Sequence, residues 1–257
     1  MQPAAVAIVS AVCWMDLYDY GRDLERAGFD PTHPNAGRPI TRLRAFHGVV
    51  AKHSGPSFPT LAMNDGAAIN YDLGLGPNDK LWKFIRRCWA LYGEATATDL
   101  AAGGAGLRSV LAIGLRAKGS ARGIDAQDDA FTGIVEDFAA GKIDRAAAIN
   151  AARQIRRNFD IVPELQANFA FARAYEAERG GTRAGLPGPN FYVDKLAFRN
   201  AVPGWLDAIA DHRWIARLQS LSTTFVSVAG LNSTADDSAS STLRSGRELK
   251  ALLQGRA

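Results

Sequence analysis

The stretch AAVAIVSAVCWMDLYDYG, residues 4–21, decides the architecture. As far as Met15 it is almost wholly apolar, dominated by Val, Ile and Ala, and at Asp16 it turns polar at once. This is the pattern of a strand buried on both faces that ends at a carboxylate. No Lys or Arg precedes the run, and Asp16 interrupts it before it is long enough to cross a bilayer. It therefore reads as a core strand, not as a leader or a membrane span.

Outward from this strand, a short helix is expected over 18–28, then a loop punctuated by Gly28, Pro31, Pro34, Gly37 and Pro39, then a helix through Arg42 to Lys52. Phe58–Met63 and Ala67–Leu73 are strand-like runs separated by Asn64-Asp65-Gly66, a hairpin signal that puts Asp65 at the tip. Lys80–Tyr92 has apolar residues at helical spacing, Val110–Leu115 reads as a strand, and residues 125–157 as mostly helical. Apolar positions at Leu165, Phe169, Ala172 and Tyr175 predict a helix over Glu164–Glu178, and a Gly-rich turn then leads to a strand at Phe191–Val193. The order strand, helix, hairpin, helix, strand, long helix, strand is that of a ferredoxin-like α+β sheet flanked by helices. In the tail, Trp205–Leu218 is expected to be helical, Thr224–Ala229 is β-branched, Asn232–Thr242 is expected to be mobile, and Leu243–Leu253 forms an amphipathic helix. The expected division is a main domain of residues 1–200 and a C-terminal extension of residues 201–257.

A chain of 257 residues with 47% hydrophobic content can bury a full core without staples. Two cysteines, Cys13 and Cys88, make a disulfide framework unexpected and point to a reducing compartment, the cytoplasm. The net charge of +4 suits a polyphosphate ligand as well as nucleic acid, and no C2H2 spacing, aromatic RNP motif or Walker A loop accompanies it. Nucleic acid is not the expected partner. His47 and His53 have no zinc spacing and receive no chemistry.

Two carboxylates on neighbouring strand ends suit hard divalent cations, which take oxygen ligands and often only one or two from the protein. Asp16 and Asp65 are the candidates. The bland alternative is that Asp16 caps the following helix and Asp65 is a turn residue.

At this point the sequence resembles the class III nucleotide cyclases, whose first strand ends in an aspartate followed by an apolar residue, a variable one, Gly and an aromatic. Here the run is Met15-Asp16-Leu17-Tyr18-Asp19-Tyr20-Gly21, and Asp65 follows Asp16 by 49 positions, as the family's hairpin aspartate follows its first. Leu107–Gly114 resembles the strand after the central helix, and Ala167-Asn168-Phe169-Ala170 the helix that carries the family's catalytic asparagine. The resemblance covers about residues 4–198. It implies a cyclase-like catalytic domain in which Asp16 and Asp65 hold two Mg2+ or Mn2+ ions. Asn168 would orient the ribose or the transition state and Arg173 would stabilise charge on the phosphates, both from the partner protomer of a homodimer.

Two departures stand out. Asp19 occupies a place where the family usually has Gly. Arg173 lies five positions after Asn168, not four, which turns it about 100° round the helix. The adenine-selecting Lys before the hairpin aspartate is absent from Thr60-Leu61-Ala62-Met63-Asn64-Asp65. In size and in having no obvious sensory domain the chain is similar to the Pycsar antiphage cyclases, which implies UTP or CTP as substrate and a separate cyclic-nucleotide effector protein. The alternative is a degenerate homologue that binds a nucleotide or a partner without catalysis. Arg116 and Lys118, with Arg122, are candidates to neutralise a triphosphate, against a solvated-loop reading. Asn190, Tyr192 and Asp194 are candidates for a base contact, against an edge-strand role.

Overall fold

The computed structural model describes residues 6–76, 79–118, 126–155, 162–216, 222–232 and 238–255. The opening run forms β1 (Val6–Leu17), followed by α1 (Tyr20–Arg26) and α2 (Gly37–His53). The hairpin is β2 (Thr60–Met63) and β3 (Gly66–Leu73); α3 (Asp79–Ala101) and β4 (Leu107–Lys118) come next. Then follow α4 (Ala126–Ala139), α5 (Arg145–Gln154), α6 (Phe169–Gly180), β5 (Phe191–Asp194), β6 (Leu206–Ile215), β7 (Ser222–Leu231), α7 (Ser238–Ser241) and α8 (Gly246–Leu253). No helix among the described residues is long and apolar enough to cross a membrane.

The strands form one mixed sheet in the order β2-β3-β1-β4-β5-β7-β6. Antiparallel pairs join β1 to β3 and β2 to β3, β4 and β5 run parallel, and β7 pairs antiparallel with both β5 and β6. With helices alongside, this is the expected α+β class. β1 is central, and its odd residues Val9, Ala11, Cys13, Met15 and Leu17 enter a core with Phe46 of α2 and Leu81, Phe84 and Ile85 of α3. Its even residues face the other way. There Trp14 meets Phe171 and Tyr175 of α6 edge-on, with ring centroids 5.9 and 5.3 Å apart. Gly114 of β4 lets α6 come close, because a Cβ there would lie 2.6 Å from the Ala170 backbone nitrogen.

Two expectations are corrected. Trp205–Leu218 is not helical: β6 is a strand at the sheet edge, and neither Trp205 nor Trp214 sits on a helix. The division at residue 200 also fails, since β6 and β7 continue the sheet through β5 and are no extension of it. Residues 217–221 and 233–237 lie outside the described residues.

The chain divides into two compact units, residues 1–6 with 117–167, and residues 7–116 with 168–257. In the first, the helix expected over 125–157 is broken into α4 and α5 by a turn at Gly141, whose φ is 69°. Asp144 caps α5 by accepting from the Ala147 backbone N–H at 2.7 Å.

Candidate functional site

In the second unit β1 and β3 pair so that Asp16 stands opposite Gly66, and the Leu17 backbone N–H donates to the Asp65 carbonyl at 3.1 Å. Asp16 and Asp65 thus share one cavity of about 390 Å3 with Trp14, Arg108, Tyr175 and Glu178. The hairpin turn is made by Asn64, which takes φ 53°, a conformation Asn tolerates better than most residues. Gly66 is required beside it. A Cβ there would lie 2.3 Å from Cζ2 of Trp14, whose ring forms one wall.

The carboxylates are electrostatically costly where they stand. Burial raises the Asp16 carboxyl from 3.8 to about 9, helped by the negative charges of Glu178 and Asp65 and opposed by Arg108. Burial likewise raises Asp65, against hydrogen bonds that favour its charged form, one of them from Asn64 Nδ2 at 2.8 Å. Glu178 is raised by burial in the same way, while Arg108 pulls it down through hydrogen bonds of 2.9 and 3.1 Å to one oxygen. The indole N–H of Trp14 also favours the charged form of Glu178.

Groups outside the cavity fix the backbone of both aspartates. Arg42 is 1% exposed and donates to Asp99 through Nε at 2.8 Å, to Asp23 through Nη1 at 2.7 Å and to the Tyr18 carbonyl at 3.0 Å. This network ties the turn after Asp16 to α1, α2 and α3. His47 of α2 meets the Asn64 carbonyl at 2.7 Å and holds the hairpin tip. Asp19 takes φ 61°, a left-handed conformation that Gly adopts without strain, and its carboxylate is paired with Arg22 at 3.1 Å.

A single chain does not bring the other expected residues to this cavity. Asn168 is buried at the start of α6, where its Oδ1 accepts from the Ala170 and Phe171 N–H groups and its Nδ2 donates to Ser10 at 3.1 Å. Ser10 is six residues from Asp16 along β1, about 20 Å at strand rise. Arg173 is buried against Asp194 at 2.9 Å and the Ile113 carbonyl at 2.8 Å. Arg116 is buried and bound through two nitrogens to Asp72. Lys118 ends β4, and Arg122 lies outside the described residues. Asp194 is fully buried, and β5 lies between β4 and β7, so the edge-strand reading of Asn190, Tyr192 and Asp194 is corrected too.

Arg108, Glu178, Trp14 and Arg42 escaped the sequence reading, and His47, given no chemistry there, holds the hairpin tip. One signal was available: Phe171, Tyr175 and Glu178 share a helix face at i, i+4 and i+7, and a carboxylate closing an aromatic stripe is unusual.

The two carboxylates form a donor set for a hard cation. Both are oxygen ligands whose charged forms burial disfavours, and Arg108 is committed to Glu178. Among the described residues no three His, Cys, Asp or Glu side chains are grouped as metal ligands, so further ligands would come from water or a bound phosphate.

No family model and no curated protein matches the sequence. Among solved structures, the chain is similar to the guanylyl cyclase Cya2, with a TM-score of 0.49 and 12% identity over 90% of this chain and 97% of that one. It is also similar to the adenylyl cyclase CyaB from P. aeruginosa, with a TM-score of 0.42 and 9% identity over 91% of this chain and 100% of that one.

Proposed function

We propose that this protein is a nucleotide cyclase that converts a nucleoside triphosphate, UTP or CTP in preference to ATP, to its 3′,5′-cyclic monophosphate and diphosphate. The observation that carries the reading is the pairing of Asp16 with Asp65 in one cavity, on a strand end and the tip of the adjoining hairpin. In the reaction the ribose 3′-oxygen bonds to the α-phosphorus, the bond from that phosphorus to the α–β bridging oxygen breaks, and the hydroxyl proton passes to solvent.

Asp16 and Asp65 would hold two Mg2+ or Mn2+ ions. When bound, these ions lower the pKa of the attacking hydroxyl and neutralise the triphosphate. Arg108 and Arg179 add positive charge to the cavity wall. The Arg42 network and the His47 contact keep the two carboxylate-bearing backbones from drifting apart. Preference for a pyrimidine rests on the absence of Lys from the segment before Asp65.

The same reading gives Asn168 and Arg173 of a second copy to the transition state, and each would have to exchange its present hydrogen bonds to reach it. Of the three aromatic residues of α6 that such a dimer would use, Phe171 and Tyr175 already pack on Trp14, and Phe169 is 64% exposed.

The test is incubation of the purified protein with each of the four ribonucleoside triphosphates and Mn2+, with products identified by mass. Cyclic UMP or cyclic CMP that disappears in Asp65→Asn supports the proposal. Cyclic AMP alone would overturn the base preference, and no product from any triphosphate would favour the non-catalytic homologue.

A further inference from the structure

A second cavity, of about 600 Å3, is larger than the one that holds the aspartates. Lys80, Lys83, Arg86 and Arg87 of α3 line it, with Ser57, Phe58 and Tyr71. The four cations stand at i, i+3, i+6 and i+7, on one face of the helix; Asp79 opens α3 just before them, and residues 80–93 contain no carboxylate. Like charges at such spacings repel one another along a helix face. The opposite face of α3, with Leu81, Phe84, Ile85 and Cys88, is buried in the core and fixes the orientation of the basic one.

Two nearby carboxylates are committed elsewhere. Glu94, about two turns beyond Arg87, takes Lys52 at 2.7 Å and His53 at 2.9 Å. Asp72, beside Tyr71, is held by Arg116. Within the cavity Arg87 is already ordered: its guanidinium lies 4.2 Å over the Phe58 ring and donates to Ser57 Oγ at 2.9 Å. A planar fork fixed in this way suits phosphate oxygens, and Lys80 and Lys83 add positive charge to the same lining. Tyr71, half-buried, supplies an aromatic edge.

We propose that this cavity is a second anion site, for a phosphate-rich small molecule such as a nucleoside polyphosphate or inorganic polyphosphate, independent of the aspartate cavity. Tyr71 pairs with Ala11 on the core face of the sheet, whereas Asp16 pairs with Gly66 and projects from the other face. The two sites are five residues apart along β3, about 17 Å. Binding here requires no divalent cation, because the protein supplies the positive charge.

The experiment is calorimetric titration of the full chain in EDTA with inorganic tripolyphosphate, ATP and UTP, at low and at moderate salt. Saturable binding is expected, weakened at least tenfold in the triple variant Lys80→Gln, Lys83→Gln, Arg86→Gln, whose replaced side chains are all exposed. A charge-matched control, Lys142→Gln, Arg145→Gln, Arg153→Gln on the α4–α5 hairpin, should bind as the parent does. Equal affinity for tripolyphosphate and nucleotides would assign recognition to the phosphates, and tighter nucleotide binding would add a contact to the base. The proposal is overturned if the α3 variant binds as the parent does, if the control loses as much, or if neither tripolyphosphate nor a nucleotide binds saturably. None of these outcomes depends on cyclase activity.

Discussion

Asp16→Asn is expected to make the metal-free protein more stable while it abolishes catalysis. The Asp16 carboxyl is raised from 3.8 to about 9, first by burial and then by Glu178 and Asp65. Between those two values the folded chain keeps a proton that the unfolded chain has released. Stability is therefore fully present below about pH 4 and falls as pH rises toward about 9. At pH 7 the carboxyl is protonated roughly three decades of pH above its ordinary range, and at 1.36 kcal/mol per decade the loss is at most about 4 kcal/mol. The cavity is open to water, and relaxation reduces such penalties, which leaves on the order of 1–2 kcal/mol. For a chain of this size that corresponds to about 2–8 °C in Tm. Asn has the shape of the protonated acid and does not titrate, so calorimetry in EDTA should find the variant melting about 2–8 °C above the parent at pH 8, with the gap closing near pH 4. Added Mn2+ should then stabilise the parent and not the variant. If the variant melts at or below the parent at pH 8, or if Mn2+ raises both equally, the buried carboxylate is not the strained cation ligand described here.

Gly66→Ala places a Cβ 2.3 Å from the Trp14 ring, and the displaced indole should cost about 1–3 kcal/mol in urea unfolding. Arg42→Met leaves Asp99 buried without its Arg42 partner, while Asp23 keeps Arg38 at 3.3 Å and Arg26 at 3.6 Å, and should cost about 3–5 kcal/mol; an unchanged urea midpoint would show that water replaces the arginine. Mixing Asp16→Asn with Asn168→Ala chains should restore part of the activity if sites are shared between two copies. Failure despite demonstrated subunit exchange would exclude that arrangement.

The order of strands was legible in the sequence wherever burial is one-sided or complete. β1 is apolar because both its faces are covered, and β3 starts at Gly66, after Asn64-Asp65, because a two-residue turn needs such residues. β6 was misread for a physical reason. As an edge strand it is mostly exposed, and register shifts between Asp207 and Ala210 break its period of two. With that alternation lost, Trp205, Ala208, Ile209 and His212 fall by chance on helical spacing. Once β6 was taken for a helix, the sheet seemed to end at β5 and a domain boundary followed from the error.

The site divides along the same line between local and distant information. Asp16 and Asp65 were found because each ends or turns a segment that its neighbours define, and their 49-residue separation is a property of the chain. Their surroundings come from long range: Glu178 meets Arg108 across 70 positions, Arg42 meets Asp99 across 57, and His47 meets Asn64 across 17. Such pairs leave no periodic trace, because a buried ion pair needs one residue from each of two elements and not a pattern in either. Asn168 shows the converse. Its motif was visible, yet the same residue type that orients a substrate also caps a helix, and within one chain the cap is what its Oδ1 serves. A local motif therefore specifies which atoms a side chain offers, and the tertiary partners specify what those atoms bind. Asp16 shows the same division: the strand end puts its oxygens in the cavity, and burial with the neighbouring carboxylates of Glu178 and Asp65 decides that the carboxyl is raised to about 9.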